Sequence, residues 1–304
     1  MRNLWTNRVK ALHRATAAVA LMAPLLITGC SLFPTTRKLP VPKAPTLTQT
    51  VKPEELVDRL NKRWATISTL TATVEIQATV TKTKEGSAKD YPTLHGFILV
   101  RKPAMLRVVG QYLGVRAFNM ASDGKTFTLS IPPQDKVIKG PAKLNKKLPG
   151  NALYNLRPDF FFDALLVRGL DPDDEYMVTA DTVTVEDAAR KHLFLIPEYK
   201  LTISRIKAGT HLLTPLRVVY FHRDDLQPYQ QDVYDSEGNL ETQVFYDAYR
   251  DFDGNTYPSR ITLKRPIEEI QIILSVDQVK ENQPLGDDQF VVEIPANATV
   301  QTLE

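Results

Sequence analysis

The single thiol of the sequence is the side chain whose chemistry is easiest to interpret. Cys30 is the only cysteine among 304 residues. It has no partner for an intrachain disulfide, although disulfides are the common use of cysteine in exported proteins. A thiolate is also a nucleophile that can accept a lipid group. The residues that precede Cys30 decide between these uses.

The segment before Cys30 has the parts of a secretory signal. It begins with four basic residues, Arg2, Arg8, Lys10 and Arg14. An apolar stretch from Ala15 to Ile27 follows, and the small pair Thr28 and Gly29 directly precedes the cysteine. This stretch of about 13 residues is too short for a bilayer, which requires roughly 20. The pattern predicts a cleaved signal peptide over residues 1–29.

The end of this segment, Leu26 to Cys30, resembles the bacterial lipobox. The resemblance implies that Cys30 receives diacylglycerol before cleavage and an N-acyl group afterwards, with no other cofactor. An ordinary secretory signal followed by an incidental cysteine is the alternative. Ser31 in place of an aspartate implies, by the proteobacterial sorting rule, an outer-membrane location facing the periplasm. We therefore expect a lipid-anchored protein of the bacterial cell envelope.

The charge of the chain argues against a nucleic-acid partner. The sequence has 38 Lys and Arg against 35 Asp and Glu, a net charge of +3. Without the four basic residues of the predicted signal the balance is 34 against 35, or −1. The excess of positive charge belongs to the export signal, so the remaining chain lacks the basic character of nucleic-acid-binding domains.

The sequence predicts neither a catalytic residue nor a metal site. The histidines that follow the signal lie far apart and lack the spacing of metal ligands: His95, His192, His211 and His222. There is no nucleophile elbow and no phosphate-binding glycine loop. We therefore expect a protein that is not an enzyme.

The rest of the chain divides into a linker and one domain. Residues 30–50 contain four prolines, no acidic residue and no periodic pattern, so we expect an extended spacer. The domain spans residues 51–304. It opens with one helix whose apolar residues recur every three or four positions: Leu56, Leu60, Trp64, Ile67 and Leu70. A second helix is predicted from Pro158 to Arg168. Strands are predicted over residues 71–80, 96–100, 106–110, 117–120, 126–131, 200–206, 216–222, 230–234, 243–249, 259–263 and 267–279.

Three segments of this domain resemble the LolA/LolB-like proteins. They are RKPAMLRV (residues 101–108), SDGKTFTLSIPPQDKV (residues 122–137) and the carboxyl-terminal stretch of residues 274–303. The resemblance implies an α+β fold in which a strongly curved antiparallel sheet, an incomplete barrel, wraps over a few plugging helices. In that family an apolar cavity accepts acyl chains. The predicted anchor favours the LolB side, because LolB is itself lipid-anchored.

The resemblance suggests two sets of site residues. The candidate lining of the cavity consists of large apolar side chains: Leu60, Trp64, Phe118, Phe127, Leu129, Phe160, Phe162 and Phe245. Each of them has an alternative role in the core, where buried aromatic residues stabilise a domain. Tyr112, Leu113 and Gly114 match the membrane-transfer loop of LolB-like proteins. A leucine in a β-hairpin can also be packed, so both readings of Leu113 stay open.

These observations lead to two functional hypotheses. The first is a non-enzymatic carrier or acceptor that shelters acyl chains of lipoproteins or lipids during delivery to the outer membrane. Its partners would be those acyl chains, the membrane and a periplasmic carrier protein. The alternative is an envelope interaction or assembly lipoprotein that uses the same scaffold with its cavity filled by its own side chains. An open apolar cavity in the domain would favour the first.

Overall fold

The computed structural model describes residues 48–82, 85–142, 154, 156–186 and 193–303. The predicted signal peptide, Cys30 and nearly all of the linker lie outside the described residues. The chain divides into two compact units, one of residues 43–185 and 195–304 and one of residues 1–42 and 186–194. The first unit carries the fold; the second lies almost wholly outside the described residues.

The described residues form two α-helices and fifteen β-strands. The helices are α1 (Pro53–Thr66) and α2 (Pro158–Leu165). The strands are β1 (Thr69–Lys82), β2 (Ser87–Asp90), β3 (Leu94–Arg101), β4 (Met105–Tyr112), β5 (Val115–Ser122), β6 (Thr126–Ile131), β7 (Lys136–Pro141), β8 (Glu175–Glu186), β9 (Leu193–Ile206), β10 (Leu213–His222), β11 (Pro228–Tyr234), β12 (Leu240–Phe252), β13 (Asn255–Arg265), β14 (Ile270–Glu281) and β15 (Thr299–Thr302). Within this part of the chain, no helix has the length and apolar character needed to cross a membrane.

The apolar stripe and the amino-terminal residues of α1 explain why this segment is helical. Leu56 and Leu60 are buried on one face. Pro53 lies in the first turn, where its missing N–H costs no hydrogen bond. The Glu55 carboxylate accepts the Lys52 backbone N–H at 3.2 Å and lies at the positive end of the helix dipole.

The strands build one curved sheet. Its order is β15-β7-β6-β5-β4-β3-β1-β14-β13-β12-β11-β10-β9-β8, with β2 paired to β1 off this path. Neighbouring strands from β1 to β7 and from β9 to β14 pair antiparallel, as do β1 and β14, whereas β7 and β15 pair in parallel. The outer strands β8 and β15 do not pair with each other among the described residues, so the sheet stays open there. This architecture confirms the incomplete barrel that the resemblance implied.

Alternation along the strands buries one face of the sheet. In β1 the buried apolar side chains are Leu70, Ala72, Val74 and Ile76, because successive side chains point to opposite faces. The buried face carries two hydrophobic clusters. The larger one packs α2 against β1, β3 to β7 and β12 to β14. The smaller one packs α1 against β9 and β10, and Val167 contacts both clusters.

Candidate functional site

A cavity of about 390 Å³ lies between α1 and the sheet. Leu60, Trp64 and Ile67 of α1 and the segment just after it form one wall. Leu165, Leu166 and Val167, at the end of α2, form a second. The remaining walls are the β10–β11 turn, the start of β13 and tyrosines of β12 and β13. Its volume falls within the range of small-molecule sites, roughly 300 to 1,000 Å³.

Helix spacing explains the α1 wall. Leu60 and Trp64 are four residues apart and lie on one face of α1, and Ile67, the first residue after the helix, continues the wall. The Trp64 ring is fixed on two sides. Phe162 meets it edge-on, with the ring centroids 6.4 Å apart, and Lys102 Nζ lies 4.2 Å from the ring centroid. The aromatic wall is therefore held in place before any ligand binds.

Two tyrosines in the sheet wall of the cavity have hydroxyls that are already hydrogen-bonded within the protein. The Tyr249 hydroxyl donates to the Pro228 carbonyl at 2.7 Å, and the Tyr257 hydroxyl donates to the Leu165 carbonyl at 2.7 Å. Burial raises the pKa of both tyrosines above the ordinary value of 10.0, so both are neutral near physiological pH. With these polar atoms satisfied, the wall they form is largely apolar.

The charged residues of the lining are two arginines of α1, Arg59 and Arg63. Arg63 Nη1 donates to Glu281 Oε2 at 2.8 Å, and its second Nη contacts the other oxygen of the same carboxylate. The Glu281 side chain is 3% exposed. The Arg59 side chain is exposed to solvent. No acidic residue lines the cavity among the described residues.

The structure separates the eight residues predicted to line the cavity. Leu60 and Trp64 lie in the wall of the cavity, and Phe162 packs against the Trp64 ring in a T-shaped contact. Phe160 of α2 is buried in the larger cluster, together with three strand residues, Phe118, Phe127 and Leu129. Phe245 lies on the opposite face of the sheet from its buried neighbours in β12, with Lys264 Nζ 4.8 Å from its ring centroid.

Sequence reasoning missed the tyrosines of the sheet wall. Tyr246 lines the cavity and is 4% exposed. It is in phase with Val244, which is also buried, whereas Phe245 is out of phase. The alternation in β12 indicates that Tyr246 is buried with Val244. The prediction named Phe245 instead, which lies on the other face of the strand. Strand phase therefore predicts the buried residue better than the absence of a hydroxyl does.

The predicted transfer loop is the turn between β4 and β5. Leu113 is 86% exposed at its tip, with Tyr112 and Val115 also exposed. Leu113 and Gly114 both have positive φ, 47° and 79°, as in the tight turns that suit hairpins. Of the two readings of Leu113, the structure shows the exposed one.

The structure does not bring this loop to the cavity. Strand pairing places the β4–β5 turn at the same end of the sheet as the β13–β14 turn. The cavity lies near the β10–β11 and β12–β13 turns, at the opposite end. The eleven residues of β13 span the distance between these two ends of the sheet, which is about 35 Å at the rise of an extended strand.

One group of potential metal ligands lies on the outer face of the sheet. Glu75, His95 and Asp277 have ligand atoms within 4.8 Å of one another. His95 Nδ1 and Glu75 Oε1 are 3.2 Å apart because the two residues are directly paired across β1 and β3. Sequence spacing could not reveal a group assembled by strand pairing. Exposed groups of this kind are common without a metal ion, and we assign none.

Comparison with known proteins supports the fold. No protein-family model matches the chain, and no curated protein matches it. A DUF1329 family protein from Desulfovibrio piger has a similar structure, with a TM-score of 0.50 and 15% identity over 78% of this chain and 95% of that one. A LolA superfamily protein from Nitrosomonas europaea has a TM-score of 0.48 and 13% identity over 80% and 99% of the two chains.

At these identities the likeness concerns the fold alone. The observed sheet, open between β8 and β15 and packed over two helices, is the architecture that the sequence resemblance implied. The LolB side of the resemblance stays a prediction. In its fold, this chain is similar to the DUF1329 family protein from Desulfovibrio piger.

Proposed function

We propose that this chain is a lipid-anchored, non-enzymatic carrier that shelters an acyl chain of a lipoprotein or lipid during delivery to the outer membrane. The observation that carries the proposal is the cavity between α1 and the sheet, with its apolar walls of Leu60, Trp64, Ile67 and the tyrosine rings. Each methylene removed from water contributes about 0.8 kcal/mol, so such a cavity binds an acyl chain without specific polar contacts.

The proposed anchor is Cys30, after removal of residues 1–29, on an outer membrane facing the periplasm. The chain that leads from it meets the domain at the β10–β11 turn, where the Gln49 N–H donates to the Arg223 carbonyl at 2.6 Å. A spacer of about 19 residues in the polyproline II conformation spans roughly 60 Å.

In this proposal Leu113 acts at the membrane surface. A single exposed leucine on a rigid hairpin can enter the headgroup region without unfolding any part of the domain. Because the turn lies far from the cavity, its role would be contact with the acceptor membrane or with a periplasmic carrier rather than contact with cargo. Binding and transfer would therefore be separable by mutation.

A direct test is the uptake of an acyl ligand by a variant with a blocked cavity. Thr256 is exposed and lines the cavity, so Thr256→Trp fills the entrance without disturbing the core. Arg260→Trp, on the same strand but outside the lining, is the matched control. We expect equilibrium dialysis with tritiated dodecanoate to show binding to wild type and to the control, with at least a tenfold loss in Thr256→Trp. Equal binding by both variants would remove the cavity from the mechanism.

The second candidate function is an envelope interaction lipoprotein with a filled interior. It is favoured by the larger cluster, in which Phe118, Phe127 and Phe161 are each at most 2% exposed and fill the space beneath β3 to β6. This reading expects no uptake of dodecanoate by wild type and a stable protein partner instead. The dialysis experiment therefore separates the two functions.

A further inference from the structure

We propose that the cavity selects acyl ligands with an anionic headgroup, a carboxylate or a phosphate monoester, and that Arg59 recognises this headgroup. The inference rests on the proposed carrier function and adds the class of ligand. It follows from the distribution of charge around the cavity.

Both charged residues of the lining are arginines on the same helix. Arg59 and Arg63 are four residues apart on α1, so they lie one above the other beside the same opening. Arg63 is neutralised by Glu281, whose two carboxylate oxygens it contacts. Arg59 makes no hydrogen bond or ion pair with any described residue, and its side chain is exposed. One of the two positive charges is thus left for a ligand.

Two acidic residues near the opening are engaged with groups other than Arg59. Glu281 is buried and already paired with Arg63. On the β10–β11 turn, Asp225 Oδ1 accepts the Gln227 backbone N–H at 2.8 Å, and Asp225 is not part of the lining. The opening therefore combines apolar walls with one guanidinium that has no ion-pair partner among the described residues.

A guanidinium fits carboxylate and phosphate oxygens with paired hydrogen bonds. A ligand with its chain between Trp64 and the tyrosine rings would place its headgroup at the solvent-exposed side, where Arg59 lies. Charge-assisted hydrogen bonds of this kind change affinity by roughly tenfold. A neutral alcohol or ester headgroup would gain much less.

The test compares three ligands that share one chain and differ in headgroup: dodecanoate, dodecyl phosphate and dodecanol. The protein is the chain from residue 30 onward with Cys30→Ser, which retains every described residue. Its variants are Arg59→Gln, Arg59→Lys and, as the matched control, Lys62→Gln. Lys62 is exposed on the same helix and does not line the cavity. Dissociation constants are measured by equilibrium dialysis at pH 7.5.

We expect Arg59→Gln to weaken dodecanoate and dodecyl phosphate about tenfold and to leave dodecanol within about twofold of wild type. Arg59→Lys should recover much of the loss, and Lys62→Gln should behave as wild type. Loss for only one of the two anions would identify its headgroup as the recognised one. Equal effects on all three ligands, or none, would overturn the inference while leaving the carrier function intact. Failure of wild type to bind any of them would overturn both.

Discussion

At the scale of single residues, the Tyr246 hydroxyl is buried without a hydrogen-bond partner among the described residues. An unsatisfied buried polar group costs about 1 to 3 kcal/mol. Tyr246→Phe removes that group and keeps the ring. We expect the free energy of unfolding to rise by about 1 kcal/mol in urea denaturation. A decrease of that size would show that the hydroxyl has a partner in solution.

Asp159, in the first turn of α2, makes the free energy of unfolding depend on pH. Burial raises the pKa of Asp159 from 3.8 to about 7, the Asp163 carboxylate adds to the rise and Arg265 opposes it. The folded state therefore keeps a proton that the unfolded chain releases near 3.8. It follows that this residue makes the free energy of unfolding fall as pH rises from 3.8 to 7.

We expect a decrease of about 2 kcal/mol across this range, half of what the full pKa difference implies, because solvent screens part of the effect. Asp159→Asn should flatten that part of the stability profile, and Asp123→Asn, on an exposed turn, should not. Urea denaturation at half-unit steps of pH measures both. An unchanged slope in Asp159→Asn would assign the pH dependence to other groups.

The sequence predicted the helix side of the candidate site better than its sheet side. Leu60 and Trp64 follow from spacing within one continuous helix, which needs no knowledge of distant residues. Tyr246 and Tyr257 become neighbours of α1 only through strand pairing and the curvature of the sheet. Arg59 is not among the predicted site residues, because its proposed role depends on Glu281 pairing with Arg63 and not with Arg59.

At the scale of elements, the β4–β5 hairpin presents Leu113 to solvent on a rigid support. If it acts at the membrane, a charge at its tip should prevent insertion. We expect Leu113→Glu to reduce transfer of bound dodecanoate to anionic vesicles at least fivefold, with binding and stability unchanged. Val291→Glu is the matched control, because Val291 is 60% exposed and lies outside the hairpin. Normal transfer by Leu113→Glu would exclude the hairpin.

Strands with a buried face were predicted, and strands at or near the edges were not. The prediction includes β1, β3 to β6 and β9 to β14, where alternation marks one buried face. It omits β2, β8 and β15, which are largely exposed and carry no clear alternation. It also omits β7, which pairs with its chain neighbour β6 on one side and with β15, more than 150 residues away, on the other. A strand without alternation gives no local signal even when its partner is close in sequence, as for β2 and β1.

At the scale of the whole unit, the cavity lies where the two hydrophobic clusters meet, since residues of both clusters line it. Helix α2 fills the space beneath β3 to β6, which explains why Phe118, Phe127, Leu129 and Phe160 serve as core. The sequence identifies the apolar side chains, but it does not predict where α2 lies against the sheet. That position leaves open the space beside α1, where the cavity lies.

The most direct test of the carrier function is native mass spectrometry of the protein purified from the cell envelope, followed by lipid analysis under denaturing conditions. The account predicts discrete added masses that correspond to one acyl ligand, present in wild type and absent from Thr256→Trp. An anionic lipid among them would also agree with the role of Arg59. Protein without added mass, which also takes up no acyl ligand from solution, would contradict the account and leave the interaction lipoprotein as the better explanation.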